Sequence, residues 1–231
     1  MRIPKLTPRL DLIAEMVRNC EQEKKVVADI GTDHAKLPIF LVNSCICNFT
    51  YASDINTGPL EKAKENIKYF KCPDDKIKIV LSNGIEKIPR DYNILVIAGM
   101  GGELISDILE NGKPDRNVTL ILSPMTAAEE LRLWLYKHNY SIVKEKIADE
   151  GKKIYTVIKA IFSNEPVYFE KIDCWLSPAL LNSKNELVKR YIKTYINKQD
   201  SIINGKAQGG HFDDEYKAAI ELKKLLSDKM N

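Results

Sequence analysis

Five apolar runs constrain this chain more than anything else in it: Val26–Ile30, Asn48–Ser53, Ile77–Leu81, Ile94–Ala98 and Val118–Leu122. Each is too short for a self-sufficient helix, and together they read as strands buried in a sheet. Helical spacing fills Pro59–Phe70 and Gly102–Glu110 between them and Ala127–His138 after the last. Buried strands alternating with helices are the mark of βαβ units, so the expected fold class is α/β with a mostly parallel sheet. A helix over 8–20 precedes the first strand. Leu6, Leu10, Ile13, Ala14 and Val17 share its apolar face, with Thr7 as N-cap and Pro8 at the first helical position.

After residue 140 the pattern changes. Tyr140–Ile147 and Lys153–Phe162 are strand-like, and the connection Ala148–Lys152 contains Gly151, which predicts an antiparallel pair closing the sheet. Beyond Pro166 the β signals fade. Leu180, Leu187, Val188, Tyr191, Ile192, Tyr195, Ile196, Ile202 and Ile203 mark an amphipathic helix, which Asn204-Gly205 and Gly209-Gly210 are expected to break. A second stripe, Tyr216, Ala219, Ile220, Leu222, Leu225 and Leu226, makes a coiled-coil-like helical hairpin with it. The expected division is a sheet domain over 1–163 and a helical hairpin domain over 164–231.

Composition narrows the partners. The chain has 231 residues, 44% hydrophobic and 29% charged, which excludes a collagen, a disordered tail and a disulfide miniature. Its 35 Lys and Arg barely exceed its 32 Asp and Glu, and residues 163–231 hold 11 basic and 10 acidic side chains, so RNA contact requires a local patch. Cys20, Cys45, Cys47, Cys72 and Cys174 have neither Cys-x-x-Cys spacing nor a His pair beside them, and read as reduced thiols without a metal. The start MRIPKLTPRLDL has no unbroken apolar segment, and no run reaches the roughly 18 residues of a membrane span. A cytoplasmic protein is expected.

The chemistry is concentrated at strand ends. The first strand runs into Asp29-Ile30-Gly31-Thr32-Asp33-His34, an acid followed by a glycine turn before a helix, where backbone can approach a nucleotide-type cofactor. The second ends in Ser53-Asp54-Ile55-Asn56, with Asp54 23 positions after Gly31, close to the ~20-residue offset of an acid that binds ribose hydroxyls. The third and fourth end in Ser82-Asn83-Gly84 and Ala98-Gly99-Met100-Gly101-Gly102. Four strand ends in a row carry small or polar residues, which points to a cofactor cleft along them.

These strings resemble those of class I, Rossmann-like methyltransferases that use S-adenosyl-L-methionine. Asp33 and Ala35 replace the later glycines of that superfamily's loop. Thr7-Pro8-Arg9-Leu10, Ala28-Asp29-Ile30-Gly31-Thr32-Asp33-His34-Ala35-x-Leu37-Pro38, Asp54-Ile55-Asn56-x-Gly58-Pro59, Ile97-Ala98-Gly99-Met100-Gly101-Gly102 and Leu131-Arg132-x-Trp134-Leu135 together resemble the bacterial tRNA adenine-22 N1-methyltransferases of the TrmK type, over nearly the whole chain. The resemblance implies seven strands, mostly parallel with an antiparallel last hairpin. It also implies a cofactor site of Asp29, Gly31, Thr32, Asp33, His34, Asp54, Ile55, Asn56, Asn83, Gly84, Ala98, Gly99 and Met100. In it Gly31 admits the methionine end, Asp29 orients the turn or binds the amino group, and Asp54 accepts both ribose hydroxyls.

Adenine N1 has its own lone pair, so positioning and electrostatics should dominate the transfer. The product ring is cationic, and Asp33 is the candidate catalytic acid for stabilising it. His34 either touches the base or fixes the loop. The base must be unpaired or flipped to be reached. Tyr51, Tyr92, Met100 and Met125 are near strand ends, although aromatic residues there are more often core. Ser123-Pro124-Met125 departs from the family's Gln-Pro-Asn. Arg9, Lys36, Arg132, Lys189, Arg190 and Lys193, with Arg2, Lys5 and Lys184, are candidate tRNA contacts. Other readings are methylation of another RNA base or of a small molecule, and a non-catalytic RNA-binding module on the same fold. Monomer and homodimer both remain open.

Overall fold

The computed structural model describes residues 2–183 and 185–230. Seven strands, β1 (Val26–Ile30), β2 (Phe49–Asp54), β3 (Ile77–Leu81), β4 (Ile94–Met100), β5 (Thr119–Pro124), β6 (Tyr140–Glu150) and β7 (Lys153–Phe162), form one sheet in the order β3-β2-β1-β4-β5-β7-β6. The first five are parallel, and β7 joins β5 and β6 antiparallel, as the sequence predicts.

Strand alternation assigns the two faces. Ala28, Ile30, Leu95, Ile97, Leu120 and Leu122 point into a core under α4 (Gly102–Gly112) and α5 (Ala128–Lys137). Val27, Ile94, Val96 and Ile121 point the other way, onto α1 (Pro8–Arg18) and α2 (Lys36–Asn43). With both faces covered by helices, the strands must be apolar throughout, which is why they read as runs. α3 (Thr57–Tyr69) completes the layer over β2 and β3.

Three local expectations are corrected. The β6–β7 turn is only Gly151-Lys152, because Gly151 takes φ +76° and its N–H donates to Asp149 Oδ1 at 2.9 Å, letting β6 run on to Glu150, while β7 has the expected bounds. α7 (Leu187–Gln208) passes through Asn204-Gly205 without a break and stops at Gly209-Gly210. Packing against α8 (Asp214–Asp228) outweighs the ~1 kcal/mol that an interior glycine costs. Leu180 sits in a separate short helix, α6 (Pro178–Leu181).

The C-terminal helices are not a detached appendage. Val188, Tyr191, Ile192, Leu222 and Leu226 pack with Ile172, Leu176 and Leu180 onto Ile147 of β6. Beneath them Arg132 of α5 and Glu145 of β6 face each other, both side chains 0% exposed, with Arg132 Nη2 to Glu145 Oε1 at 2.6 Å and Nε to Oε2 at 3.2 Å. Arg132 also donates to the Cys174 carbonyl and the Tyr191 hydroxyl, both at 2.9 Å. Glu145 accepts from the Ser177 hydroxyl at 2.6 Å and from that of Thr156. Arg132 therefore makes no tRNA contact, contrary to its place among the candidates. Its guanidinium is spent inside the protein, where Glu145 holds its pKa well above the ordinary value against the opposing effect of burial. Removing one partner strands the other charge, so Arg132→Ala should cost about 3–5 kcal/mol in urea unfolding.

Candidate cofactor cleft

The carboxyl ends of β1, β2 and β4 open into a cleft of about 420 Å³, the position where open α/β sheets hold ligands. β1 delivers Asp29 to its floor. The turn that follows is tied down, since the N–H groups of Gly31 and Thr32 both donate to the Ser53 carbonyl at 2.8 Å. Gly31 takes φ +75°, and a Cβ there would collide with the Met100 methyl, so backbone itself forms the wall. Gly99, at φ +84°, offers bare backbone from β4, with only Arg9 Nη1 within reach of a Cβ, at 3.8 Å.

Two carboxylates face this space. Asp29 is 6% exposed, and burial pushes its pKa from 3.8 up to about 6, with the charge of Asp54 adding to the push. A buried carboxylate of this kind is best satisfied by a cation. Asp54 is half-buried at the tip of β2, where its Oδ1 accepts the Asn56 N–H at 2.8 Å and keeps the carboxylate in place. Its remaining lone pairs suit hydroxyl groups. Leu10, Leu37, Ala98 and Met100 supply apolar walls. The donor set fits a ligand with an ammonium, a diol and an apolar body, and S-adenosyl-L-methionine has all three.

Of the residues named for the cofactor, Asp29, Gly31, Asp33, Asp54, Ala98, Gly99 and Met100 line the cleft. Thr32 is buried beneath the turn. His34 is half-buried, with Nδ1 3.5 Å from Asp33 Oδ1 and its carbonyl accepting from Asn66 at 2.9 Å, so its backbone has a structural part in the loop. Ile55 and Asn56 are exposed at the entry to α3, and Asn83 and Gly84 lie past the end of β3; none of the four lines this cleft. Asp33 does line it, but its side chain is 77% exposed.

The basic candidates divide in the same way. Arg9 and Lys36 belong to the cleft, as does Lys5. Arg9 is packed, its guanidinium 5.1 Å from the Tyr155 ring centre and Nη1 3.1 Å from Met125 Sδ. Arg190 is used to staple the β6–β7 turn, with Nη1 on Asp149 at 2.8 Å and a second bond to the Gly151 carbonyl. Lys189 and Lys193 are exposed and have no ion pair among the described residues. Lys184 lies outside the described residues. Arg2 sits over Tyr69.

Sequence reasoning did not place Thr7, Leu10 or Leu37 here. Thr7-Pro8 announces a helix start, and its hydroxyl does accept the Leu10 N–H at 3.4 Å, but periodicity gives no sign that this start folds over the strand ends. Tyr51 and Tyr92 are core residues, 4% and 3% exposed. Among the described residues no three His, Cys, Asp or Glu gather as metal ligands, and no helix is long and apolar enough to cross a membrane.

Residues 6–158 match the family model described as a methyltransferase domain. The chain is 34% identical over 188 residues to the tRNA (adenine(22)-N(1))-methyltransferase of Bacillus subtilis, spanning 78% of this chain and 77% of that protein. Its structure resembles the crystal structure of the B. subtilis m1A22 tRNA methyltransferase TrmK, with a TM-score of 0.86 and 29% identity, covering 98% of this chain and 99% of the other. It also resembles M. capricolum TrmK in complex with the cofactor product S-adenosyl-homocysteine, with a TM-score of 0.77 and 28% identity over 97% and 96% of the two chains.

The raised pKa of Asp29 has a measurable sign. The folded state holds this proton more tightly than the unfolded chain, so the contribution of Asp29 is most favourable below about pH 4 and is lost as pH rises from about 4 to 6. Asp29→Asn should abolish that slope and stabilise the fold at pH 7.5 by on the order of 2–3 kcal/mol in denaturant unfolding. It should also weaken S-adenosyl-L-methionine binding at least about tenfold in titration calorimetry, the loss expected where a ligand ammonium pairs with this carboxylate.

Proposed function

The chain belongs to the family of bacterial tRNA (adenine-22-N1)-methyltransferases, and we infer from this that its cleft binds S-adenosyl-L-methionine and methylates N1 of an adenine in tRNA. The single observation that carries the assignment to this cleft is the pair Asp29 and Asp54 on neighbouring strand tips beside a glycine-walled turn. Asp29 holds the amino group of the cofactor, Asp54 holds the ribose hydroxyls, and Gly31 and Gly99 leave room for its backbone-hugging middle. Ala98 and Met100 shape the side where the base arrives. When bound, the cofactor supplies a methyl carbon on positively charged sulfur; the adenine N1 lone pair takes that carbon, the old bond's electron pair stays on sulfur, and the positive charge passes to the base.

The protein's own share is to hold the two reactants in line and exclude water, since N1 needs no base to free its lone pair. Asp33 stands at the mouth of the cleft, where solvent screens an exposed carboxylate strongly. We place the division at 163/164, a reading supported by the end of the methyltransferase-domain match at residue 158, with the C-terminal helices as the part that meets the tRNA body. A cytoplasmic location suits a tRNA substrate.

Incubation with labelled S-adenosyl-L-methionine and unmodified tRNA should label the tRNA and create a primer-extension stop at its adenine 22, because N1 methylation blocks the pairing edge. Label without that stop would move the target to another base, and absence of label from cofactor-binding protein would defeat the reading. Lys189→Glu with Lys193→Glu should weaken tRNA binding and flatten its dependence on salt, while leaving cofactor affinity unchanged.

A further inference from the structure

A second cavity, of about 290 Å³, adjoins the cofactor cleft, and Met125 belongs to the walls of both. One side is the turn that leaves β5, from Pro124 to Glu129, with Tyr155 of β7 beside it; the other is α7, through Thr194, Tyr195 and Lys198. With the cofactor in the first cleft, the methyl acceptor has to approach from an adjoining space, and this one is half sheet and half C-terminal helix. It offers tyrosine rings of the kind on which an extruded base stacks.

The cavity contains one carboxylate, that of Glu129. Its side chain is 11% exposed, and it sits in the first turn of α5, where the helix dipole favours negative charge. It has two partners, both at long hydrogen-bond distance: the Tyr195 hydroxyl donates to Oε2 at 3.3 Å, and Lys198 Nζ donates to Oε1 at 3.4 Å. Lys198 is 59% exposed, so solvent weakens this ion pair. The Tyr195 hydroxyl is in turn 2.9 Å from that of Tyr191, which binds Arg132. Glu129 is therefore a carboxylate far less exposed than that of Asp33, with two protein partners and acceptor capacity to spare.

We infer that Glu129 is the carboxylate that receives the target adenine, accepting a hydrogen bond from its exocyclic amino group and stabilising the positive charge the ring gains, while Tyr195 orients the carboxylate. This rests on the reading of the cleft as an adenine-N1 methyltransferase site. The amino group lies beside N1, so an acceptor placed on it holds N1 toward the cofactor. Guanine presents a carbonyl at the same position and would be repelled. The C-terminal helices then complete the acceptor pocket as well as holding the tRNA body.

The test uses the full-length protein and Glu129→Gln, which keeps the shape and removes the charge. Single-turnover methylation at saturating tRNA should fall about a hundredfold to a thousandfold, the range for losing one charge-stabilising group. Cofactor affinity and thermal midpoint should stay unchanged. A short RNA carrying N1-methyladenosine should bind the unaltered protein better than the same RNA with adenosine, and Glu129→Gln should lose that preference. Glu129→Asp, which retains the charge, should keep it even if the Gln variant folds poorly. Unchanged turnover in Glu129→Gln beside an active unaltered protein would overturn this inference alone, as would a parallel loss of cofactor affinity. Absence of methylation by the unaltered protein would overturn both readings.

Discussion

Arg132 and Glu145 are fully withdrawn from water, and the way the segment from Lys171 to α7 docks on β6 depends on their being satisfied. Taking both ions out of solvent costs several kcal/mol each, and their mutual attraction repays this only when the remaining donors and lone pairs are also met. Here they are met by Cys174, Tyr191, Thr156 and Ser177, which come from the 3-10 turn at Lys171–Cys174, from α7, from β7 and from the cap of α6. A helix hairpin held only by its apolar stripe could slide along β6. One held by a buried guanidinium and carboxylate has one register, because any other leaves a charge without a partner. From Tyr191 the contacts continue to Tyr195 and Glu129, so the same core also sets the wall of the cavity beside the cleft.

The opposite end of the design is a deliberate cost. The carboxyl ends of β1, β2 and β4 place Asp29 where burial opposes its charge, and an asparagine there would leave a more stable fold. A buried carboxylate is suited to pairing with a ligand ammonium, and a cost in stability at such a position fits the usual trade between stability and activity. Gly31 and Gly99 belong to the same trade. Each gives up a side chain, and each takes a positive φ that a larger residue would resist, so that backbone can line the cleft.

Much of this was legible in the amino-acid order. Strands covered on both faces are continuous apolar runs, so the five parallel strands could be located within a residue or two, and the antiparallel pair followed from its glycine turn. The acids and glycines at strand ends were legible for the same reason: nothing apolar is needed there, so their presence has to mean something else. Asn204-Gly205 was misleading, because a local glycine penalty of about 1 kcal/mol is smaller than the packing of a long helix against its neighbour. Arg132 was misleading in the opposite sense, since no local pattern distinguishes an arginine bound for the interior from one bound for solvent.

By itself the sequence determined the α/β class, the order of strands and helices, and the line of acids and glycines at the strand ends, because periodicity and turn chemistry act over a few residues and leave local traces. Only the tertiary structure decided which charges are spent and which are free. Arg132 and Glu145 are separated by 13 positions and meet in the core, Arg190 reaches back 41 positions to Asp149, and Tyr195 lies 66 positions from Glu129. Contacts at such separations depend on how helices pack across a sheet, and a single chain's residue order carries no periodic sign of them.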